Sequence, residues 1–202
     1  MSQNTQTSMK KGKIIVISAS SGAGKTTLTN ALHDYFKDKI HLNKVITYTT
    51  RAARAGEVDG IDYYFITQDL FKQKIKEQFF LEWSGAYGAY YGSPRSILQS
   101  CKNGHSFLIV LDRVGVQKLL AICPEALVTV WITVDLIKLG ERLQKRGSDT
   151  VEARNARLEL AKKEKELEDR ERIFRYHVKN DDFPQAFNDL IKIIMQELEI
   201  IE

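Results

Sequence analysis

Lys25 and Thr26 are the first residues whose surroundings suggest chemistry. They close the stretch Ser18-Ala-Ser-Ser-Gly-Ala-Gly-Lys-Thr-Thr27. In such a Gly-rich turn, successive backbone N–H groups form an anion nest, and a helix starting at its end adds a favourable field for phosphate. Lys25 would reach β- and γ-phosphates, and the Thr26 hydroxyl would bind Mg2+. Ala19, Ser20, Ser21, Gly22, Ala23, Gly24 and Thr27 make up the rest of the cradle. The first Gly of the pattern G-x-x-x-x-G-K-[ST] is replaced by Ala19. The plain alternative is an ordinary strand-to-helix turn.

Arg51 and Arg54 stand three apart in Thr47-Tyr-Thr-Thr-Arg-Ala-Ala-Arg54. Guanidinium forks match phosphate oxygens bidentately, so the pair can clamp a second phosphate; two loop arginines can equally be solvated. Tyr63 is either core or a hydroxyl partner for that phosphate. Glu82 interrupts the apolar run Phe79-Phe-Leu-Glu-Trp83. It lies on a wet sheet face, or it accepts hydrogen bonds from a ligand. A carboxylate accepts from both N1–H and the 2-amino group of guanine, whereas adenine offers no such donor pair. Tyr91 and Ser93, in a loop rich in Gly and Tyr, are candidates for phosphate and base contacts. Arg142 and Arg146 share one helix face, and Arg157 follows a Gly-containing break. They are surface residues, or arginines of a mobile lid over a transferring phosphoryl group. Asp112 ends an apolar run, where it caps the next helix or holds a water on Mg2+.

The elements that must position these residues follow from hydrophobic spacing. Lys13-Ile-Ile-Val-Ile17, Phe107–Leu111 and Leu127–Val134 read as buried strands, with Val45-Ile46 and Phe174–Val178 as shorter ones. Leu28, Leu32, Tyr35 and Phe36 have helical spacing. Strands alternating with helices predict an α/β fold with a parallel sheet flanked by helices, whose ligands gather at the carboxyl ends of the strands. Residues 47–95 differ, being rich in Gly and aromatics. Asp62–Ile66 and Phe79–Trp83 read as short antiparallel strands and Leu70–Lys76 as a helix, a small mixed insertion. Asp135–Arg172 reads as helical and highly charged, with Thr150 as an N-cap after an interruption. The run Lys162–Glu166 reads as solvated helix surface. Phe183–Ile200 reads as an amphipathic helix.

The 202 residues suit one α/β domain with insertions. Residues 1–11 read as a disordered tail without a secretory signal, and no run approaches a membrane span. The formal charge of +4 is mild. It fits anionic small substrates as well as weak nucleic-acid contact and alone decides nothing; small molecules rather than nucleic acid or membrane are the expected partners. Cys101 and Cys123 fit neither a metal spacing nor a disulfide framework, which favours a reducing, cytoplasmic setting. The scattered histidines suggest no triad or metal site.

Taken in order, these motifs resemble those of the guanylate kinases of bacterial type, within the nucleoside monophosphate kinase superfamily. The resemblance runs from about Lys13 to Glu197. It rests on Thr49-Thr-Arg-x-x-Arg54 with Gly56-Glu57, Gly60, Tyr63 and Phe65, on Phe80-Leu-Glu-Trp83, and on Tyr90-Tyr-Gly-Ser93. Arg142-Leu-x-x-x-Arg-Gly147, Arg157-Leu158 and Asn180-Asp-Asp182 complete it. It implies ATP-dependent phosphorylation of GMP to GDP in purine nucleotide metabolism, with Mg2+. GMP and ATP would be the partners, dGMP tolerance and the choice of monomer or homo-oligomer being open. Arg51, Arg54, Tyr63 and Tyr91 would bind the GMP phosphate, and Thr47, Glu82 and Ser93 would read guanine. Lys25, Arg51, Arg142, Arg146 and Arg157 would act on the transferred group, Asp112 would face GMP or Mg2+, and Asn180 would sit near adenine. The implied core is 12–46, 96–137 and 161–202, with a GMP-binding insertion at 47–95 and a lid at 138–160.

The chain departs from that family at four places. Thr47 replaces a common Ser, Ala53 a Pro, Val110 a carboxylate, and Arg113-Val114 an apolar-Gln pair. Two rival readings are a sugar-phosphate kinase resembling ribose 1,5-bisphosphate phosphokinase, and a phosphopeptide-binding domain that has lost catalysis. Glu82 with Thr47 favours guanine over the first. Lys25, Thr26 and the lid arginines argue against the second.

Overall fold

The computed structural model describes residues 11–200, except Ser21, His41, Tyr87 and residues 147–149; the side chains of Ala86 and Arg146 are also outside the description. Apart from Lys11, the expected N-terminal tail lies outside the described residues.

Strand β1 (Ile14–Ala19) is buried along its whole length. It is followed by α1 (Lys25–Phe36), β2 (Leu42–Lys44), β3 (Tyr48–Thr49), β4 (Tyr64–Phe65), α2 (Gln68–Lys76), β5 (Phe80–Ala86) and β6 (Ala89–Pro94). Then come α3 (Ser96–Lys102), β7 (Ser106–Val110), α4 (Arg113–Ile122), β8 (Leu127–Thr133), α5 (Leu136–Arg146), α6 (Val151–Glu171), β9 (Tyr176–Lys179) and α7 (Phe183–Leu198). The main sheet has the order β2-β7-β1-β8-β9, with every neighbouring pair parallel. A parallel sheet is covered on both faces, which is why its strands read as continuous apolar runs.

Alternation along the strands divides two cores. Ile15 and Ile17 join Leu28, Leu32 and Phe36 of α1 and Ala186, Leu190 and Ile194 of α7 on one face. Ile14 and Val16 join Ile97 of α3, Val116 and Leu119 of α4, and Trp131 on the other. These two faces follow from the period of two along a strand. Leu139 and Leu143 of α5 meet Leu158 and Ala161 of α6 in a small third cluster.

The second sheet has the order β4-β3-β6-β5. Its strand β5 is antiparallel to β6, a strand in the segment expected as a loop, and β4, expected to be an antiparallel strand, runs parallel to β3, with Tyr48 opposite Tyr64. Parallel neighbours need a crossover, and the polar residues 50–63 are long enough to make one. The edge strand of the main sheet also falls earlier than expected, at Leu42–Lys44 rather than Val45-Ile46. Val45 still donates its N–H to Leu108 O at 2.9 Å, after which the chain leaves the sheet. Thr150 caps α6 by accepting from Ala153 N, as its position predicted. No helix among the described residues is long and apolar enough to cross a membrane.

Candidate active site

The phosphate loop leaves the carboxyl end of β1. Ala19 is the strand's last residue, paired with Ile132, and its φ is not positive. The position does not require glycine, so this departure from the loop pattern carries no strain. Gly22 and Gly24 do need their residue type, with φ of 90° and 88°. A Cβ on Gly24 would also fall 2.5 Å from Asn180 Nδ2. Asn180 is 3% exposed and donates Nδ2–H to Ala23 O at 2.8 Å. The residue expected near adenine therefore also braces the loop from behind.

Lys25 is the first residue of α1. Its ammonium donates back to Ala19 O and, at 3.3 Å, to Ser20 O. Burial lowers its pKa to about 8, against the charges of Glu164 and Asp112. Thr26 and Thr27 are exposed at the mouth of the loop. Asp112 caps α4: Oδ1 accepts from Gly115 N and Oδ2 from Ser84 Oγ, both at 2.7 Å. The capping alternative is thus realised, and each oxygen keeps a second acceptor site.

Arg51 lies in the loop after β3. Its two terminal nitrogens grip Glu57 at 2.9 Å each, and Tyr91 is close enough to favour its charged form further. Glu57 accepts from Arg54 N at 2.7 Å, so one carboxylate organises both arginine positions. Burial acts to raise the Glu57 carboxyl, but Arg51 and the Arg54 N–H outweigh it and hold it below the ordinary range. Arg54 itself is exposed, and the Tyr63 ring lies 5.4 Å from the Arg51 guanidinium.

Glu82 is 4% exposed, which excludes the wet-face alternative. Ser93 is fully buried and donates its hydroxyl to Glu82 Oε1 at 2.5 Å. Burial pushes the Glu82 carboxyl up to about 7 despite that hydrogen bond, and the nearby Asp112 charge adds to the rise.

One cavity of about 1160 Å³ joins the two ends. Ala19, Gly22, Gly24, Lys25, Thr26, Thr27, Asp112 and Asn180 line it on the loop side. Thr47, Arg51, Arg54, Tyr63, Glu82 and Tyr91 line it on the other, while Arg142 and Arg157 reach it from the helical pair α5–α6. Ser20, Ala23 and Ser93 stand behind the lining; Ser21 and the Arg146 side chain lie outside the described residues. Val110 lines the cavity, and Arg113 turns toward α6, where it pairs with Glu168 at 2.6 Å and Glu171 at 2.8 Å.

Three cavity residues are not marked by the sequence. Ser84 donates to Asp112, and no signal in β5 distinguishes it. Glu57 stands out only as part of a motif. Glu164 belongs to a run that reads as solvated helix surface, although its spacing from Arg157 puts both on one face of α6. No group of three or more metal-ligating side chains occurs among the described residues.

A polyphosphate nest at one end of a cavity, and arginines with a buried carboxylate at the other, suit a phosphoryltransferase that holds donor and acceptor at once. Comparison with known proteins gives the particular family. The guanylate kinase family model matches residues 11–197. Guanylate kinases from Maricaulis maris and Synechocystis are each 37% identical, covering 93% and 95% of this chain and 84% and 97% of their own. The crystal structure of guanylate kinase from Anaplasma phagocytophilum aligns with a TM-score of 0.73 at 27% identity, covering 93% of this chain and 87% of that one. The chain belongs to the guanylate kinase family, whose reaction is the phosphorylation of GMP to GDP.

Proposed function

We propose that this protein catalyses ATP + GMP = ADP + GDP in the cytoplasm, with Mg2+, through the residues that line this cavity. The observation that supports the reading is that Lys25–Thr26 and the buried Glu82 open on the same space of about 1160 Å³. In this reading Glu82, oriented by Ser93, accepts from N1–H and the 2-amino group of guanine, with Thr47 beside it. Arg51 and Arg54, with Tyr63 and Tyr91, hold the GMP phosphate. The segment 47–95 is then the GMP-binding insertion and 138–160 the lid, on a core of 12–46, 96–137 and 161–202.

The donor phosphates lie in the nest of Gly22 and Gly24, against Lys25. The residues also fit the metal. Mg2+ commonly takes one or two protein ligands and completes its shell with water and phosphate oxygens. The Thr26 hydroxyl is exposed at the cavity, and Asp112 retains acceptor capacity there. When bound, the ion would neutralise charge on the donor phosphates.

No covalent protein intermediate is needed. A GMP phosphate oxygen attacks the γ-phosphorus in line, and the chain supplies alignment and charge stabilisation. Arg142, Arg146 and Arg157 approach the transferred group as the lid closes, and closure keeps water from accepting the phosphoryl group. A coupled assay with ATP and GMP, AMP, CMP, UMP or ribose phosphates tests this. Turnover confined to GMP and its close analogues is expected; turnover of ribose phosphates in preference to GMP would overturn it.

A further inference from the structure

Among Lys162–Glu166, Glu164 alone is turned inward, half-buried on α6, while its neighbours in that run are exposed. It lines the cavity two helical turns after Arg157. The Ser20 hydroxyl of the phosphate loop lies close enough to favour its ionised form, and among the charges acting on it that of Lys25 is the most favourable, though burial outweighs both and raises the carboxyl. Its Oε2 is buried without a hydrogen-bond partner. Isolated carboxylate oxygens are costly to bury, and this one sits where donor phosphates and a lysine would meet. One turn further on, Glu168 is 1% exposed and grips Arg113 at 2.6 Å and Phe174 N at 3.2 Å. That anchor fixes α6 against α4, so Glu164 is presented to the loop from a held element.

We propose that Glu164 is a positioning residue for the transfer reaction: it holds Ser20 and the Lys25 ammonium in register with the helix that carries Arg157. Lys25 otherwise has only the carbonyls of Ala19 and Ser20 as acceptors in this loop. Asp112, the other carboxylate acting on it, is already engaged by Gly115 N and Ser84. A carboxylate at Glu164 gives the ammonium a fixed counter-charge that does not move with the nucleotide. It also adds negative charge beside an anionic ligand, so it does not strengthen ground-state binding of ATP. Its contribution falls on the transition state, where the placing of Lys25 counts most.

This inference rests on the proposed ATP:GMP reaction, so wild-type turnover with GMP is measured first; its absence would sink that reading and leave Glu164 a separate question. The variants are Glu164→Gln, Glu164→Asp, Lys25→Met, and Lys25→Met with Glu164→Gln, with Glu166→Gln as an exposed control on the same helix. ATP affinity is measured by isothermal titration without GMP, and folding by thermal melting. Glu164→Gln should lower kcat by about 10- to 100-fold while changing the ATP dissociation constant by less than about threefold. Glu164→Asp, which keeps the charge, should recover part of kcat. In the Lys25→Met background, Glu164→Gln should cost less than about threefold more, because a residue acting through Lys25 has nothing left to act on. Three results would each overturn the proposal: kcat within about twofold of wild type, a parallel loss of ATP affinity and melting temperature, or a full independent loss in the Lys25→Met background.

Discussion

Glu57 occupies both prongs of the Arg51 guanidinium at 2.9 Å and at the same time accepts from the Arg54 backbone at 2.7 Å. The carboxylate could compete with an incoming phosphate, or it could build the turn that presents both arginines. The second effect should win. Arg54 is exposed and the flanking residues 52–56 are exposed too, so little besides Glu57 shapes this loop. Glu57→Ala is expected to raise the GMP KM by about 5- to 10-fold with a smaller change in kcat, since orientation is lost rather than charge in the transition state. A fall in the GMP KM would show that Glu57 acts as a competitor.

The raised pKa of Glu82 gives GMP recognition a pH dependence. Accepting from two guanine donors requires the ionised carboxylate, and burial moves its pKa to about 7. Below that pH, binding must first remove a proton, so the GMP dissociation constant should rise by up to about tenfold per pH unit between about pH 7 and 5. The phosphate of GMP also titrates near about pH 6. Glu82→Gln serves as the reference: it should bind GMP weakly at all pH values, with only the slope of the phosphate remaining. Equal slopes in both proteins would remove Glu82 from guanine recognition.

The same burial is a stability cost. The native pKa of about 7 exceeds the ordinary 4.5, so between those values the folded state binds more protons than the unfolded state. Stability therefore falls as pH rises through that window and stays low above it. Glu82→Gln should stabilise the ligand-free protein by about 1–3 kcal/mol at about pH 8 and by little at about pH 4.5. Thermal melts at the two pH values check this; a variant less stable than the wild type at the higher pH would refute it.

The loop and the main sheet were legible because each states its own geometry. Six consecutive buried residues in β1 could only be an inner strand, and Gly22 and Gly24 sit where φ is positive. Arg51, Arg54, Glu82 and the lid arginines stand out by residue type and spacing alone. Partners across the cavity do not. Nothing local tells that Glu57 will face Arg51, that Ser84 will meet Asp112, or that one glutamate of the run 162–166 turns inward. Those relations depend on where β5, α4 and α6 pack, which is a property of the whole fold. Arg113 is the clearest case: its replacement of an apolar residue has no meaning until Glu168 and Glu171 of α6 come within 2.6 and 2.8 Å.

Lys25→Met tests the donor end. Met keeps length and flexibility but removes the charge, and the transferred phosphoryl group loses a fixed cation. Turnover should fall by about 10²–10³-fold or more. The fold should not suffer. Burial depresses the ammonium's pKa to about 8, so carrying its charge at neutral pH costs stability in the ligand-free protein. A melting temperature equal to or above that of the wild type is therefore expected. Retained single-turnover chemistry would remove Lys25 from the mechanism.

Asn180→Asp separates bracing of the loop from contact with the nucleotide. The amide must point Nδ2 at Ala23 O, because the flipped amide would set two oxygens against each other at 2.8 Å. A carboxylate in that place would impose that repulsion and add a negative charge behind a nest built for phosphate. The Asn180 Oδ1 is already buried without a partner in the wild type, so no neighbouring donor stands ready to absorb the new charge. The ATP KM should rise by about tenfold or more, while GMP affinity, set some distance away at Arg51 and Glu82, should stay within about twofold. Asn180→Ala removes the donor without the charge and should give a smaller rise. Equal rises with the two substitutions would mean that the lost hydrogen bond to Ala23, and not the added charge, sets the effect; an unchanged ATP KM in Asn180→Ala would mean that this bond does not shape the loop.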